Sequence, residues 1–282
     1  MIKELGSVIL PGFKAVPDFL EQSVQSILSQ TYDEIELLVV DKYNFNVDDS
    51  AFAVLEKFKD DHRLQLIVDN RRLGLPSSLN EGIKLSKGEC IARMDCDDVS
   101  LPIRIEEELE VVDKQHSDLV GCWARVIDGS NRNIGYLSPP CEWQTIRKYL
   151  LFHNPFLHST ILFRRRVVDV VGLYKPEFEL SEDYEFYMRA FSMGFRGMNL
   201  SICLHMLREH DSSMVRGERW KQNRIVNLKC KLTGVFDCRF NRPRDIFFLG
   251  ITPLSFLLNP KKVLATKRLV GLYHKNVPSL TY

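Results

Sequence analysis

Two phosphate-binding signatures are missing from this sequence. No G-x-x-x-x-G-K-[ST] loop occurs and no G-x-G-x-x-G follows the first strand pattern, so a P-loop and a dinucleotide fingerprint are both excluded. A phosphate ligand would need a metal to hold it. The seven cysteines are scattered, odd in number and never spaced C-x-x-C, which excludes a zinc knuckle and a disulfide framework and points to a reducing, cytoplasmic setting. With a formal net charge of +1 and no Lys/Arg run interleaved with aromatics, nucleic acid is not an expected partner. The N-terminus lacks the basic and apolar regions of a signal peptide, so secretion by that route is not expected, and Asn199-Leu200-Ser201 reads as a chance sequon.

Long apolar runs are also lacking. The longest near the C-terminus, residues 247–258, would reach only about 18 Å as a helix against a hydrocarbon core of roughly 30 Å. Arg239, Arg242 and Arg244 precede it, and Lys261, Lys262, Lys267 and Arg268 follow. Such a segment suits either the anionic inner face of a plasma membrane or a helical hairpin packed on its own domain.

What the chain does have is an ordinary globular composition, 45% hydrophobic and 27% charged over 282 residues. Its first half alternates short apolar runs with helical spacing. Residues 7–10, 35–40, 64–68 and 90–94 read as strands; Leu20/Val24/Ile27/Leu28, Val54/Leu55/Phe58, Leu79/Ile83 and Ile105/Leu109/Val112 read as helix faces. This alternation predicts an α/β fold with a mostly parallel sheet flanked by helices, and ligands beyond the carboxyl ends of the strands. From Leu119 the pattern becomes a mixed extension, with strands at 119–126 and 158–163 and a turn at Asp128-Gly129-Ser130-Asn131. We therefore divide the chain into a domain over 1–238, with the change of pattern separating 1–118 from 119–238, and a helical, amphipathic C-terminal appendage over 239–282.

Cys90-Ile91-Ala92-Arg93-Met94-Asp95-Cys96-Asp97-Asp98 is the most informative stretch, since an apolar strand ends in three carboxylates. Clustered acids there must be solvated, paired or holding a cation. Asp95 and Asp97 are placed to converge on a hard divalent ion; equally, Asp97, Asp98 or Ser100 could cap a helix opened by Pro102. Three more features carry candidate chemistry. Ser181 is a candidate N-cap before Glu182 and Asp183, acids that a first helical turn favours on electrostatic grounds alone. Asn154-Pro155-Phe156-Leu157-His158-Ser159-Thr160 runs into a strand. Arg208-Glu209-His210 follows an apolar run, and there Arg208 could meet phosphate and His210 a metal, or both could sit in a surface loop.

Taken in order, these positions resemble glycosyltransferase family 2, the inverting enzymes of the GT-A fold, over roughly residues 6–215. The series is Ser7-Val8-Ile9-Leu10-Pro11; Ser26-Ile27-Leu28-Ser29-Gln30-Thr31-Tyr32; residues 35–41; Leu73-Gly74-Leu75; Asn80-Glu81-Gly82-Ile83; Lys87-Gly88-Glu89; Asp95-Cys96-Asp97-Asp98; residues 154–160; Glu182-Asp183; and Arg208-Glu209-His210. The resemblance implies that 1–118 is the donor-binding half and 119–238 the acceptor-side half, with donor contacts from Pro11, Phe13, Asp41, Asn80, Asp95 and Arg208. It implies a Mn²⁺ or Mg²⁺ ion bound by the DxD element, with Asp97 as direct ligand and Asp95 and His210 beside it. Asp183 is implied as the general base that takes the proton of the acceptor hydroxyl. The implied partners are a nucleotide sugar, a UDP-sugar being favoured, and a glycan or lipid-linked acceptor in surface polysaccharide or glycolipid synthesis.

Two departures bear on the donor. The family usually continues from Asp41 as Asp-Gly-Ser, whereas this chain reads Lys42-Tyr43-Asn44-Phe45-Asn46, in which Tyr43 or Phe45 could stack on a base. Gly12-Phe13-Lys14 replaces the commoner aromatic followed by Asn. The rewritten loop admits a competing expectation, a catalytically silent scaffold subunit of the same fold. A sugar-phosphate nucleotidyltransferase would need a Gly-rich basic loop after the first strand, which is missing.

Overall fold

The computed structural model of the protein describes residues 5–12, 15–41, 49–68, 74–150, 153–209, 226, 229–230 and 273–274. Strands β1 (Gly6–Gly12), β2 (Ile35–Asp41), β3 (Leu64–Val68) and β4 (Cys90–Arg93) alternate with helices α1 (Pro17–Leu28), α2 (Asp49–Glu56) and α3 (Gly74–Leu85). All seven residues of β1 and all four of β4 are buried. That is the signature of strands covered on both faces, and it explains why they are apolar apart from Ser7 and Arg93. β1 pairs in parallel with β2 and with β4, and β2 pairs in parallel with β3.

The short β5 (Val99–Ser100) and α4 (Arg104–Lys114) follow, then β6 (Leu119–Ile127), β7 (Asn133–Leu137), α5 (Trp143–Tyr149), β8 (Leu162–Arg164), α6 (Arg165–Val171), α7 (Glu182–Ser192) and β9 (Gly197–Arg208). β8 lies antiparallel between β4 and β6, β9 runs parallel to β6, and β5 pairs antiparallel with β9. The sheet is thus parallel from β1 to β4 and mixed beyond β4, as the change of pattern at Leu119 predicts. At the far edge, β10 (Tyr273–His274) pairs antiparallel with β7, so part of the expected appendage joins the sheet. The helix expected over 247–258 lies outside the described residues.

Two apolar clusters cover the two faces of this sheet, and strand alternation sorts side chains between them. Val8, Leu10, Cys90 and Ala92 pack with α1 and α4, while Ile9 and Ile91 pack with α3 and with Tyr184, Phe186 and Tyr187 of α7. Arg93, two residues after Ile91, therefore rises on the α7 face. Helix α3 lies close against β1 because position 82 is glycine; a Cβ there would sit 2.6 Å from Cγ2 of Ile9.

Two expected boundaries shift. The strand expected over 158–163 begins only at Leu162, because His158–Thr160 forms a 3₁₀ turn in which both the Thr160 N–H and its hydroxyl donate to the Leu157 carbonyl, at 3.0 and 2.9 Å. Helix α4 starts at Arg104 rather than at Pro102 and uses no side-chain cap from Asp97, Asp98 or Ser100. Its Ile105 N–H is instead satisfied by Oε1 of Gln30, 3.0 Å away on the segment after α1.

Candidate active site

The chain leaves β4 at Arg93 and turns through Asp95, Asp97 and Asp98, whose ligand oxygens all lie within 4.8 Å of one another. Each acid has a different environment. Asp98 is 2% exposed; its Oδ2 is 2.8 Å from Nε2 of His205, and its Oδ1 accepts the Arg208 backbone N–H at 2.8 Å. Burial raises its pKa, and the neighbouring Asp97 raises it further against these hydrogen bonds. Burial likewise pushes His205 well below the ordinary histidine value, so the ring is neutral and one of its nitrogens is free to donate to the carboxylate. Asp95 receives the Arg93 guanidinium on both oxygens, from Nη1 at 2.7 Å and Nη2 at 2.5 Å. Desolvation raises its pKa against the pull of Arg93, and the 40% of its side chain open to solvent moderates that shift. Asp97 stands between them, partly exposed.

Helix α1 clamps this turn. Ser23 donates to the Asp95 carbonyl at 3.1 Å, Ser26 accepts the Ser100 N–H at 3.1 Å, and Nε2 of Gln30 donates to the Leu101 carbonyl at 2.8 Å. Thr31 completes the clamp by donating its N–H to the Pro102 carbonyl at 2.8 Å. The Ser26-to-Tyr32 motif therefore acts as a brace for the acidic turn. Arg208, at the end of β9, adds a second brace: its Nε donates to the Asp97 carbonyl at 2.7 Å and its Nη2 to Oε1 of Gln22 at 3.0 Å, while the guanidinium lies 4.2 Å from the centre of the Phe19 ring. Its Nε and Nη2 thus each bond the protein.

The second acidic group opens α7. Ser181 occupies the N-cap position, yet its hydroxyl donates to the Leu180 carbonyl instead of capping. Asp183 Oδ1 accepts its neighbour's backbone N–H, from Tyr184, at 2.7 Å, and Oδ2 accepts the Asn154 amide. Glu182 is 4% exposed, with Oε1 3.8 Å from Nδ1 of His158; His158 Nε2 in turn lies 3.3 Å from the Tyr174 hydroxyl. Burial raises the pKa of both acids; Asp183 raises that of Glu182 further, while the Tyr184 N–H, Arg93 and Asn154 oppose the rise at Asp183. A carboxylate held in this way binds a proton more readily than a solvated one. Arg93 acts electrostatically on Asp95 and Asp98 and also on Glu182, Asp183 and His158, so the two acidic groups flank one buried guanidinium.

The remaining expected residues divide clearly. Pro11 is buried near the carboxyl end of β1, opposite Val40. Asp41 is the last residue of β2, in register with Gly12 and Val68, and its side chain lies outside the described set. Phe13 and His210 also lie outside the described residues. Both ends of the Asn80 amide bond the backbone of Tyr174, at 2.8 and 2.9 Å, so its side chain anchors the segment after α6. Arg93, Asn154, Tyr174 and His205 are site residues that sequence reasoning gave no role. Arg93 left a signal, as a cation inside an otherwise apolar strand, and Asn154 lay in the 154–160 segment singled out from the sequence.

A family model, "Glycosyl transferase family 2", matches residues 7–172. The chain belongs to glycosyl transferase family 2. This glycosyltransferase is 34% identical over 204 residues to the O-antigen biosynthesis glycosyltransferase WbnJ of Escherichia coli, covering 69% of this chain and 76% of that one. It is 29% identical over 208 residues to the amylovoran biosynthesis glycosyltransferase AmsE of Erwinia amylovora, covering 73% and 77%. Among solved structures it resembles S. aureus TarS in complex with UDP-GlcNAc, with a TM-score of 0.64 at 19% identity, covering 81% of this chain and 66% of TarS. It also resembles the mannosyltransferase PcManGT of Pyrobaculum calidifontis in complex with GDP-Man and Mn²⁺, with a TM-score of 0.59 at 16% identity, covering 96% and 81%. These likenesses establish the GT-A fold. Among the described residues of this glycosyltransferase, no helix is long and apolar enough to cross a membrane.

Proposed function

We propose that the protein is a metal-dependent inverting glycosyltransferase that moves a sugar from a nucleotide sugar, a UDP-sugar being favoured, to a glycan or lipid-linked acceptor in surface polysaccharide synthesis. The observation that carries this reading is the pair of carboxylate groups, Asp95/Asp97/Asp98 and Glu182/Asp183, set around Arg93 beyond the carboxyl end of β4. Relatives named for O-antigen and amylovoran biosynthesis support the acceptor class, and the UDP-GlcNAc bound by TarS supports the donor.

In this mechanism the acceptor hydroxyl gives its proton to Asp183 as its oxygen attacks the anomeric carbon. The bond to the nucleoside diphosphate breaks on the opposite face, and the anomeric centre inverts. Asn154 and the Tyr184 N–H fix the Asp183 carboxylate for that transfer. The donor set of the acidic turn fits a hard divalent cation, because all three ligands are carboxylate oxygens. Asp97 would hold Mn²⁺ or Mg²⁺ with Asp95 beside it and His210 contributing; when bound, the ion supplies Lewis-acid stabilisation of the charge on the departing diphosphate. Arg208 braces the Asp97 backbone and is the side chain at the end of β9 that the resemblance assigns to the donor. Lys and Arg around residues 247–258 favour a peripheral site on the inner membrane face for residues 239–282.

The test is Asp183→Asn. The variant should bind a UDP-sugar with nearly unchanged affinity by calorimetry while transfer falls by roughly 10²-fold or more. Turnover at the wild-type rate would remove Asp183 from the mechanism.

A further inference from the structure

We propose that Arg93 is a positioning residue serving both sides of the reaction centre: it fixes the plane of the Asp95 carboxylate and supplies the positive charge that keeps Asp183 in its proton-accepting form. The second half of this proposal rests on Asp183 acting as the base.

The geometry begins in β4. Alternation with Ile91 turns the Arg93 side chain to the α7 face, where it is 4% exposed. Its backbone is held at both ends, the N–H donating to the Ile161 carbonyl at 2.9 Å and the carbonyl accepting Nη2 of Arg104 at 3.1 Å. Ile161 directly follows the turn that carries His158, so the strand pairing that places Arg93 also places the base-side residues. The fork geometry of guanidinium matches both oxygens of Asp95, which no ammonium can do. Its Nε is buried without a hydrogen-bond partner among the described residues.

On the base side, the titratable groups around Asp183 are Glu182 and Tyr187 of the same helix, His158 of the 3₁₀ turn, Tyr174 and Cys230. His158 is held neutral by burial, and burial raises the pKa of Tyr174, Tyr187 and Cys230. Against these, Arg93 is a full charge that favours the ionised Asp183.

Arg93→Met and Arg93→Lys separate the two roles. The methionine variant should lose roughly tenfold or more in kcat, and the acid limb of its kcat–pH profile should move to higher pH by about half a unit or more. The lysine variant restores the charge, so its acid limb should return to the wild-type position, while its KM for the UDP-sugar stays raised because Asp95 is no longer held by two bonds. A purely structural arginine would lower activity without moving the limb. An acid limb that coincides with wild type in a folded methionine variant would overturn the proposal. Should the methionine variant fail to fold by circular dichroism, the lysine variant decides: a raised donor KM supports the proposal and an unchanged one sinks it. The Asp183→Asn variant tells the two readings apart, since its full activity would discredit the base and leave the Asp95 arm of the experiment standing.

Discussion

At the scale of single residues, the Tyr184 N–H, the Arg93 charge and the Asn154 amide together set how Asp183 behaves. The Asn154 amide is a donor to its Oδ2 and favours the ionised form, opposing the burial that raises its pKa. The proposed base must be deprotonated to work, so on that proposal the rate should fall as pH drops through this raised pKa, earlier than it would for a solvated aspartate. Asn154→Ala removes the opposing bond and should move the acid limb of kcat further toward neutrality, with kcat at the optimum falling roughly tenfold. A pH–rate series on the variant checks both, and an unmoved limb would show that Asn154 does not tune the base. Residue chemistry was partly legible in the sequence. Asp95 and Asp97 stood out because acids after an apolar strand need an explanation, whereas Asp183, at a helix start that favours acids anyway, was marked only by the family resemblance. Tyr174 and His205 did not, because their partners lie 94 and 107 positions away and neutral polar residues carry no local pattern; Asn154 was visible only as part of the 154–160 segment, its partner lying 29 positions away.

At the scale of elements, the recurrent motifs are chiefly braces. Ser26, Gln30 and Thr31 hold the acidic turn, Asn80 holds the Tyr174 backbone, and Gly88 packs where any Cβ would lie 2.6 Å from the Leu5 carbonyl and the Ser7 hydroxyl. Their order could be read from the sequence, but their work could not, since bracing is a tertiary contact with no periodicity of its own. Beneath the turn, Arg104 and Glu108 of α4 form an ion pair at 3.1 Å with both side chains fully buried, and Arg104 also bonds the Arg93 carbonyl. Removing one partner of such a pair leaves a buried charge uncompensated. Glu108→Leu should therefore destabilise the protein by about 3–5 kcal/mol in denaturant unfolding, while the Arg104→Met/Glu108→Leu double variant should recover most of that loss. Additive losses would contradict the pairing.

At the scale of the whole molecule, alternation of strand and helix through residue 114 was visible because parallel strands buried on both faces must be apolar along their length. The mixed half was less legible: β5 has two residues and β8 three, too short to show a pattern, and β10 joins the sheet from beyond residue 270. That topology matters for function, since the antiparallel β8 between β4 and β6 brings the 154–160 segment, and with it the base-side group, beside the acidic turn. The central claim is that a divalent cation at this turn makes donor binding possible. Calorimetry of UDP-sugar binding with and without Mn²⁺ tests it most directly on Asp97→Ala. Wild type should bind more tightly with Mn²⁺ and the variant should show no such gain; a variant whose metal-dependent binding equals that of wild type would contradict the account.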